Sequence, residues 1–491
     1  MPEHVVGFIG TGCMGRPMVH ELLKAGYHVR VYDKFREAAD SVVESGAVWA
    51  DTPRAAASGC DVVITCLPLP EDVLENMLGQ EGALAGMAPG STWVDTSTTD
   101  YHNTLRIAAA AKKRGVFSIE GPVSNLSHMG VDFANSSIYC AGDREGYDLA
   151  VDILQTITKI SFYTGEIGTA QTTKLLTNLL FYGSIAICAD AFAISQDAEV
   201  PNYWMWEYVR VSRANSVASE QFMPMLLDGS YDSSCSLEIG VKDMSLTVAL
   251  ATELSVDLPV GRAVNDRYRL AGEVYDQSHG HLKIAKLTET ANDIEIRIPD
   301  FVGPSKYGID KSYERSGEME TDRFGRMKPK LPDSYRAPEF VPTASQQELV
   351  NTLVEYMEYS NYQLVEEAFA LGKGIGLQDE MIEQMILWSV GTCWVFENRA
   401  GYQPNHRAAS EMASIVTKLH VPFITTLADL GRVASAGSGD KLESVGVVGL
   451  DDPEVPLVKR GDHALVESFC DGDDRCIGSV ESDVAVDADE F

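Results

Sequence analysis

The hydrophobic pattern near the start of the sequence alternates between short apolar runs and amphipathic stretches. The run His4–Gly10 is short and apolar, which is typical of a strand buried on both faces of a parallel sheet. Met18, Leu22 and Leu23 then recur at helical spacing, and Gly26 follows as a helix C-cap. The pattern predicts a strand, a turn and a helix in succession.

Further apolar runs continue the same alternation. The runs Val29–Asp33, Asp61–Leu67 and Thr92–Asp95 are predicted to be buried strands, with helical patterns between them. Strands alternating with helices are typical of an α/β fold with a parallel sheet. We therefore predict a doubly wound α/β domain over residues 1–164.

A different pattern begins after this domain. The run Leu175–Ile194 is apolar and long enough to resemble a membrane span. Asn178 and Asp190 interrupt it, and small residues are frequent. The pattern favours a buried core helix, which begins an all-α domain over residues 165–292.

The turn between the first strand and the first helix is rich in glycine. Gly10, Gly12 and Gly15 form a GxGxxG motif, and the acidic residue Asp33 follows about 20 positions later, at the end of the second strand. This context predicts a dinucleotide-binding (Rossmann) arrangement, in which the glycines allow the backbone to approach a pyrophosphate at the helix N-terminus. We count Cys13 and Met14, inside the motif, with the cofactor-binding residues.

The same motif indicates which dinucleotide is bound. The Asp33 carboxylate suits the ribose hydroxyls of NAD and repels the 2′-phosphate of NADP. Lys34 and Arg36 lie close by and weaken this preference. Leu67 and Pro68 follow a parallel strand at its carboxyl end, where ligands bind, and are predicted to line the nicotinamide side.

Five sequence blocks, in order, resemble the β-hydroxyacid dehydrogenase family, which includes 3-hydroxyisobutyrate dehydrogenase and 6-phosphogluconate dehydrogenase. The blocks are Gly7–Met18, Asp95–Thr98, Pro122–Ser124, Gly165–Asn178 and Val241–Met244. They span residues 1 to about 292, the length of a simple family member. The resemblance implies a dinucleotide-dependent enzyme that interconverts a 3-hydroxy carboxylate and its carbonyl form.

The resemblance also implies catalytic roles. Lys174 corresponds to the family's catalytic lysine, and Asn178 lies four residues later on the same helix face. A partly buried lysine beside a cationic nicotinamide has a lowered pKa, which suits a general acid and base. Asn178 is expected to hold the lysine or the substrate oxygen.

Other positions correspond to residues that bind substrate or cofactor in the family. Ser124 matches a carboxylate cradle, and the adjoining Asn125 and the earlier Ser97 are predicted to contact substrate. Thr98 and Lys242 are predicted to line the cofactor side of the same cleft. No metal site is predicted.

The sequence also departs from the family pattern. Two glycines usually follow the serine of the cradle, whereas Asn125 and Leu126 stand here, with Met129 adding bulk. The smallest family substrates are therefore in doubt. His102 and His128 lie in loops near this region, where they either touch a substrate or are solvated.

Two branches of related enzymes are disfavoured. Thr177 occupies the position where the 6-phosphogluconate branch has histidine, and no Arg-rich phosphate-binding segment is evident, which argues against a sugar phosphate. Imine reductases share the fold but usually lack the lysine that is present here as Lys174.

The remaining sequence contains an apparent second copy of the helical domain, predicted over residues 346–450. Gln346–Leu377 resembles Thr169–Val200 at an offset of 177 residues, and Leu419–Pro422 resembles Val256–Pro259 at an offset of 163. The copy lacks the catalytic side chains, which indicates a structural role. Lys174 aligns with Asn351, Asn178 with Glu355, and Lys242 with Asn405.

The segments around this copy are predicted to be less regular. Residues 293–345 form an extended linker whose start, Ile294–Ile298, alternates like a strand. Residues 451–491 form an acidic tail with few bulky apolar side chains, which predicts disorder.

Composition limits the partners. The chain has 491 residues and a formal net charge of −33, which argues against nucleic acids and anionic membranes. Nine cysteines without a CxxC pair, and no signal-peptide pattern, favour a reducing cytoplasm. A small-molecule partner and a monomer or homodimer are expected.

Three functions remain open at this stage. The first is an NAD-dependent dehydrogenase of a hydroxy acid, the second is reduction of a C=N bond, and the third is a non-catalytic NAD-binding scaffold. Lys174 counts against the second, and the complete set of catalytic residues in the first copy counts against the third.

Overall fold

A computed structural model describes most of the first 402 residues. The described residues are 4–126, 130–232, 234–278, 280–299, 301, 306–307, 313–314, 319–321, 327–329, 339–400 and 402. Several predictions fall outside them. These are the roles of His128 and Met129, the Leu419–Pro422 match, the Asn405 alignment and the acidic tail.

The N-terminal region contains one nine-stranded sheet in the order β3-β2-β1-β4-β5-β6-β8-β7, with β9 paired to β8. Strands β1 to β6 run parallel to one another, whereas β8 is antiparallel to both β6 and β7. The strands are β1 Val5–Ile9, β2 His28–Tyr32, β3 Val48–Trp49, β4 Val62–Thr65, β5 Thr92–Asp95, β6 Phe117–Glu120, β7 Val123–Asn125, β8 Ser136–Gly142 and β9 Ile160–Gly165.

Helices connect the parallel strands and cover the sheet. They are α1 Gly15–Lys24, α2 Asp40–Glu44, α3 Pro53–Ala57, α4 Pro70–Leu78, α5 Tyr101–Lys113 and α6 Arg144–Ile157. The predicted doubly wound α/β domain is confirmed. Because the parallel strands end at the same edge, the turns after β1, β2, β4 and β5 gather there.

A helical region follows the sheet, as predicted. Its helices are α7 Thr169–Asp197, α8 Asn202–Arg210, α9 Met223–Leu227, α10 Leu237–Glu253, α11 Pro259–Val274 and α12 Ala285–Asn292. Among the described residues, α7 is the one helix long and apolar enough to cross a membrane. Its most apolar window is 100% buried inside the protein, so α7 is the central helix of this core.

A second helical segment packs against α7. It contains α13 Ala344–Gly374, α14 Asp379–Leu387 and α15 Trp394–Glu397. Helices α8 and α14 both have nine residues and begin 177 positions apart, and α7 and α13 end at the same offset. Equal offsets of this kind are what a duplication would give, and the duplication itself stays a prediction.

The predicted strand at the start of the linker is wrong. Residues 294–298 form no ladder, and their backbone N–H groups donate to the helical region instead. Ile294 donates to the Glu289 carbonyl and Ile298 to the Leu227 carbonyl, both at 3.0 Å. The alternation reflects burial against helices, since Ile296 is fully buried. Further along lie two short antiparallel strand pairs, β10 Lys306–Tyr307 with β11 Tyr313–Glu314, and β12 Met319–Thr321 with β13 Met327–Pro329.

Candidate active site

The glycine turn after β1 leaves a space that side chains would fill. Gly10 has a φ of +99°, and a Cβ there would lie 2.2 Å from the Cys66 carbonyl oxygen. A Cβ on Gly15 would lie 1.9 Å from the Gly10 carbonyl oxygen. A Cβ on Gly12 would have no protein atom within 4 Å. Gly12 therefore presents bare, accessible backbone at the N-terminus of α1, which fits a bound pyrophosphate.

The predicted ribose ligand lies beside this turn. One Asp33 carboxylate oxygen accepts hydrogen bonds from the Thr11 backbone N–H at 2.7 Å and from the Thr11 hydroxyl at 3.2 Å. The other oxygen accepts from the Phe35 N–H at 2.9 Å. Three donors fix the carboxylate at the carboxyl end of β2, next to the glycine turn.

The two nearby cations have partners of their own. The Arg36 guanidinium donates to Asp40 at 2.6 Å and lies 4.6 Å from the centre of the Trp49 ring. Lys34 lies over the Phe35 ring. Arg36 is therefore engaged away from Asp33, which reduces its availability for a 2′-phosphate.

The turns after β4 and β5 are held together and tied to α7. The Leu67 N–H donates to the Ser97 hydroxyl at 2.9 Å. The Gln171 side chain donates to the Ser97 carbonyl at 2.9 Å and accepts from the Thr99 N–H at 3.2 Å. Gln171 thus joins the predicted nicotinamide side to the helix that carries Lys174. Sequence reasoning missed this residue. Pro68 is exposed beyond Leu67.

The N-terminus of α7 is anchored on the sheet by a buried carboxyl group that the sequence did not reveal as functional. One oxygen of Glu120, at the end of β6, accepts from the Gly168 N–H at 2.6 Å and the Ala170 N–H at 2.9 Å. Burial raises the pKa of Glu120 to about 8. Asp95 is its partner in the β5–β6 register, and burial raises the pKa of Asp95 to about 6. The position of Glu120 two residues before the Pro122–Ser124 block was the available signal.

Lys174 and Asn178 lie one turn apart on α7, as their spacing predicts. Lys174 is half-buried, whereas Asn178 is buried. Burial lowers the pKa of Lys174 to about 8; the nearby Lys242 also lowers it, and the Asp243 carboxylate raises it. A lysine with this pKa exchanges a proton near neutral pH.

Asp243 on α10 organises the polar groups around this lysine. One of its oxygens accepts from the Asn178 amide at 2.8 Å and from the Tyr182 hydroxyl at 3.3 Å. Its other oxygen lies 3.1 Å from the Lys242 ammonium. Lys242 also donates to the Thr98 carbonyl at 2.6 Å, which links α10 to the turn after β5. Asp243 belongs to the Val241–Met244 block and directly follows Lys242, but the sequence alone gives it no role.

Two of the three predicted substrate residues, Ser124 and Asn125, lie on β7, whereas Ser97 follows β5. Ser124 is fully buried and opposes Ser137 of β8. The Asn125 amide donates to the Met14 sulfur at 3.9 Å, and its oxygen accepts from the Ser136 hydroxyl at 2.8 Å. Asn125 therefore connects the substrate strand to the glycine turn, where Cys13 and Met14 are half-buried.

Leu126 and His102 are two further residues that the sequence analysis noted near the substrate. Leu126 is 1% exposed, so its bulk is buried. His102, on the first turn of α5, faces Glu253 at the end of α10 at 3.5 Å, and both side chains are largely exposed. Within the part of the chain that the structure describes, no cluster of His, Cys, Asp or Glu side chains could hold a metal ion.

The parallel sheet and its glycine turn together define a dinucleotide-binding fold, and comparisons with known proteins narrow the class of protein. Residues 5–165 match the family model described as the NAD binding domain of 6-phosphogluconate dehydrogenase. Residues 168–288 match the model described as NAD-binding of NADP-dependent 3-hydroxyisobutyrate dehydrogenase.

Curated relatives and solved structures agree with these models. The chloroplastic glyoxylate/succinic semialdehyde reductase 2 of Arabidopsis thaliana is 30% identical over 266 residues, which are 54% of this chain and 74% of that protein. The human cytokine-like nuclear factor N-PAC is 30% identical over 56% of this chain but only 49% of its own length. A 3-hydroxyisobutyrate dehydrogenase structure from Salmonella typhimurium superposes with a TM-score of 0.55 at 23% identity, covering 58% of this chain and 100% of that one.

The chain therefore belongs to the β-hydroxyacid dehydrogenase family. It is an NAD(P)-binding oxidoreductase of the 3-hydroxyisobutyrate dehydrogenase type. The two models together end at residue 288, before the second helical segment begins.

Proposed function

We propose that this protein interconverts a 3-hydroxy carboxylate and its carbonyl form with NAD as the hydride carrier. One observation carries the proposal. Lys174 and Asn178 share a helix face beside Asp243, on a helix that Glu120 anchors to the sheet edge bearing the glycine turn. In this proposal Lys174 supplies the proton-transfer group and the glycine turn supplies the dinucleotide cradle.

The chain's residues supply binding and proton transfer. Bound NAD supplies the hydride acceptor. Neutral Lys174 takes the proton from the substrate hydroxyl during oxidation, and its ammonium form returns a proton to the carbonyl oxygen during reduction. Asp243 holds Asn178 and counterbalances Lys242, so that both polar groups keep their positions. Ser124 receives the carboxylate end of the substrate.

The preference for NAD rests on Asp33 and Arg36. A fixed carboxylate at the end of β2 favours a ribose diol over a 2′-phosphate. Arg36, the cation best suited to bind a phosphate bidentately, is paired with Asp40 and stacked on Trp49.

The loop after Ser124 suggests the size of the substrate. Asn125 and Leu126 replace the two glycines of the family pattern. Asn125, the last residue of β7, is engaged by Ser136 and Met14, so this segment is less free to close over a small acid. We therefore favour a substrate larger than 3-hydroxyisobutyrate.

A panel assay tests the proposal. The initial rate of NADH formation is measured with 3-hydroxy acids from small to aryl-substituted, with NAD and NADP in parallel. We expect one class of acid to give turnover, faster with NAD. NADH binding without turnover of any acid would contradict the proposal and favour a scaffold, and turnover of cyclic imines alone would favour C=N reduction.

The rate of oxidation should depend on pH through Lys174. Oxidation needs the neutral amine, so kcat/KM should rise as pH increases through about 8. The Asp243 carboxylate raises the pKa of Lys174, so Asp243→Asn should move this rise to lower pH, by about one unit. The measurement is a pH profile of kcat/KM.

Glu253→Gln is the matched control for this profile. Glu253 lies on the same helix as Asp243 but is exposed at its end, paired with His102. Its removal should leave the profile in place. An Asp243→Asn midpoint equal to that of the unmodified protein would show that Asp243 does not set the pKa of Lys174.

A further inference from the structure

The contacts between the two helical segments follow a two-fold relation. The Ser184 hydroxyl on α7 donates to the Asn361 side chain on α13 at 3.0 Å, and these residues are 177 positions apart. Ser216 and Cys393, at the same offset, form an isolated antiparallel bridge. A residue that contacts its own counterpart is the mark of an isologous interface.

The hydrogen bonds around this bridge are reciprocal. The Val217 N–H donates to the Thr392 carbonyl at 3.0 Å, and the Trp394 N–H donates to the Asn215 carbonyl at 2.8 Å. Val217 corresponds to Trp394 at this offset, and Asn215 corresponds to Thr392, so the two hydrogen bonds are equivalent with the two segments exchanged. The second segment therefore sits on the first as a partner subunit would in a symmetric dimer.

A buried glutamate adds to this interface. Glu367 on α13 accepts hydrogen bonds from the N–H groups of Val260 at 2.7 Å and Gly261 at 2.9 Å, at the start of α11. Burial raises the pKa of Glu367 to about 8. The segment thus anchors a helix of the first copy much as Glu120 anchors α7.

We propose that the second helical segment, which lacks the catalytic side chains, holds the substrate-binding strand β7 in place, with Tyr139 as the positioning residue. This role rests on the proposed function, since it concerns the same substrate cleft. Nothing in the segment needs to touch substrate or cofactor, because it acts through β8.

The connection runs through two side chains of β8. The Tyr139 hydroxyl lies within hydrogen-bond distance of two carbonyl oxygens of α14 and its end, Met385 at 3.1 Å and Trp388 at 3.3 Å. The Ser137 hydroxyl donates to the Trp388 carbonyl at 2.6 Å. Ser137 in turn opposes Ser124 in the β7–β8 register. The end of α14 is therefore one strand away from the predicted carboxylate cradle.

Tyr139 is suited to a permanent anchor. Its side chain is fully buried, and burial raises its pKa to about 12. The hydroxyl therefore keeps its proton, and remains a donor, throughout the pH range in which Lys174 titrates. Because two carbonyl oxygens lie within its reach, the hydroxyl can still donate to one of them if the other moves away.

The same segment also packs closely against α7, the helix that carries Lys174 and Asn178. A Cβ on Gly391 would lie 2.7 Å from the Thr177 carbonyl oxygen and 3.0 Å from the Leu180 Cβ. Thr177 directly precedes Asn178. The turn that holds β8 thus also packs against α7 at the catalytic asparagine, and it fixes the strand and the helix relative to each other.

Asn351, the residue of the second segment that aligns with Lys174, makes structural hydrogen bonds. Asn351 accepts a hydrogen bond from the Tyr208 hydroxyl at 2.8 Å, and Gln347 donates to Asn351 at 3.0 Å. This residue ties α13 to α8 and carries no proton to transfer. The arrangement agrees with a supporting role for the segment.

The test compares Tyr139→Phe with Tyr163→Phe in the full chain. Tyr163 is a matched control, because its hydroxyl also donates to a backbone carbonyl, that of Gly142 at 2.7 Å, but within the sheet domain. Hydrogen–deuterium exchange is measured for the backbone amides of residues 123–126, which requires no substrate. We expect exchange to increase about tenfold in Tyr139→Phe only, because two carbonyls lose their shared donor.

Steady-state kinetics provide the second readout. With the acid that the panel assay identifies, KM should rise about five- to tenfold in Tyr139→Phe, with kcat within about twofold and the Kd for NADH unchanged. If Tyr139→Phe does not fold, Ser137→Ala removes the neighbouring bond and is measured in the same way. Equal exchange in the Tyr139 and Tyr163 variants would overturn the role of the second segment, whereas altered exchange without turnover of any acid would overturn only the proposed reaction.

Discussion

Replacing Lys174 with alanine should lower kcat for oxidation of the hydroxy acid by about 10²- to 10⁴-fold, the usual contribution of a positioned acid or base. Lys174 is half-buried beside Asp243 and has a pKa of about 8, so it is the group in the cleft best able to accept the substrate proton. NADH binding should change by no more than about twofold, since the glycine turn lies on another element. The measurements are kcat with saturating NAD and the fluorescence of bound NADH.

Lys174→Arg separates proton transfer from simple charge. Arginine keeps the positive charge but stays protonated, because its pKa exceeds about 12. Its activity should therefore fall almost as far as that of the alanine variant. Lys373→Ala serves as a control, since Lys373 is an exposed lysine near the end of α13. Substantial activity in Lys174→Arg would mean that the lysine acts by charge alone and not as a base.

Replacing Gly12 with alanine should weaken NADH binding by at least about tenfold while leaving the fold intact. The added methyl group meets no protein atom within 4 Å, so the free protein has room for it. The pyrophosphate is expected to occupy this open space against the Gly12 backbone. A methyl group there would therefore hold the phosphate away from the backbone. A loss of about 1.4 kcal/mol in binding is a tenfold change in Kd.

Gly15→Ala provides the contrast. Its Cβ would lie 1.9 Å from the Gly10 carbonyl oxygen, so this variant should lose both NADH binding and thermal stability. In Gly12→Ala the melting temperature should stay within about 2 °C, as for an exposed substitution. Unchanged NADH binding in Gly12→Ala would place the cofactor somewhere other than this turn.

The parallel strands, and the site residues that follow them, could be predicted from the sequence because both depend on local patterns. The runs that became β1, β2, β4 and β5 were each predicted within two residues of their ends. The turn residues follow these strands directly, and Lys174 and Asn178 share a face through helical periodicity alone. Such features need no knowledge of the tertiary packing.

The residues that sequence reasoning missed depend on contacts between distant segments. Glu120 reaches the backbone of residues 168 and 170, and Asp243 reaches Asn178 from 65 positions away. The local sequence around either carboxylate does not predict which residue the carboxylate contacts. The wrong strand at Ile294–Ile298 has the same origin, because the alternating isoleucines pack against distant helices that the local pattern does not include, and Ile296 is fully buried there.

Because α13 and α7 pack together within one polypeptide, the two sides of this interface can change in sequence separately. In a symmetric dimer every substitution appears twice, so a change at the centre of the interface must suit its own copy. Here Ser184 faces Asn361, two different side chains that can vary independently. The tether also makes the association independent of protein concentration. The two helical segments can therefore change in sequence independently while they stay packed against each other.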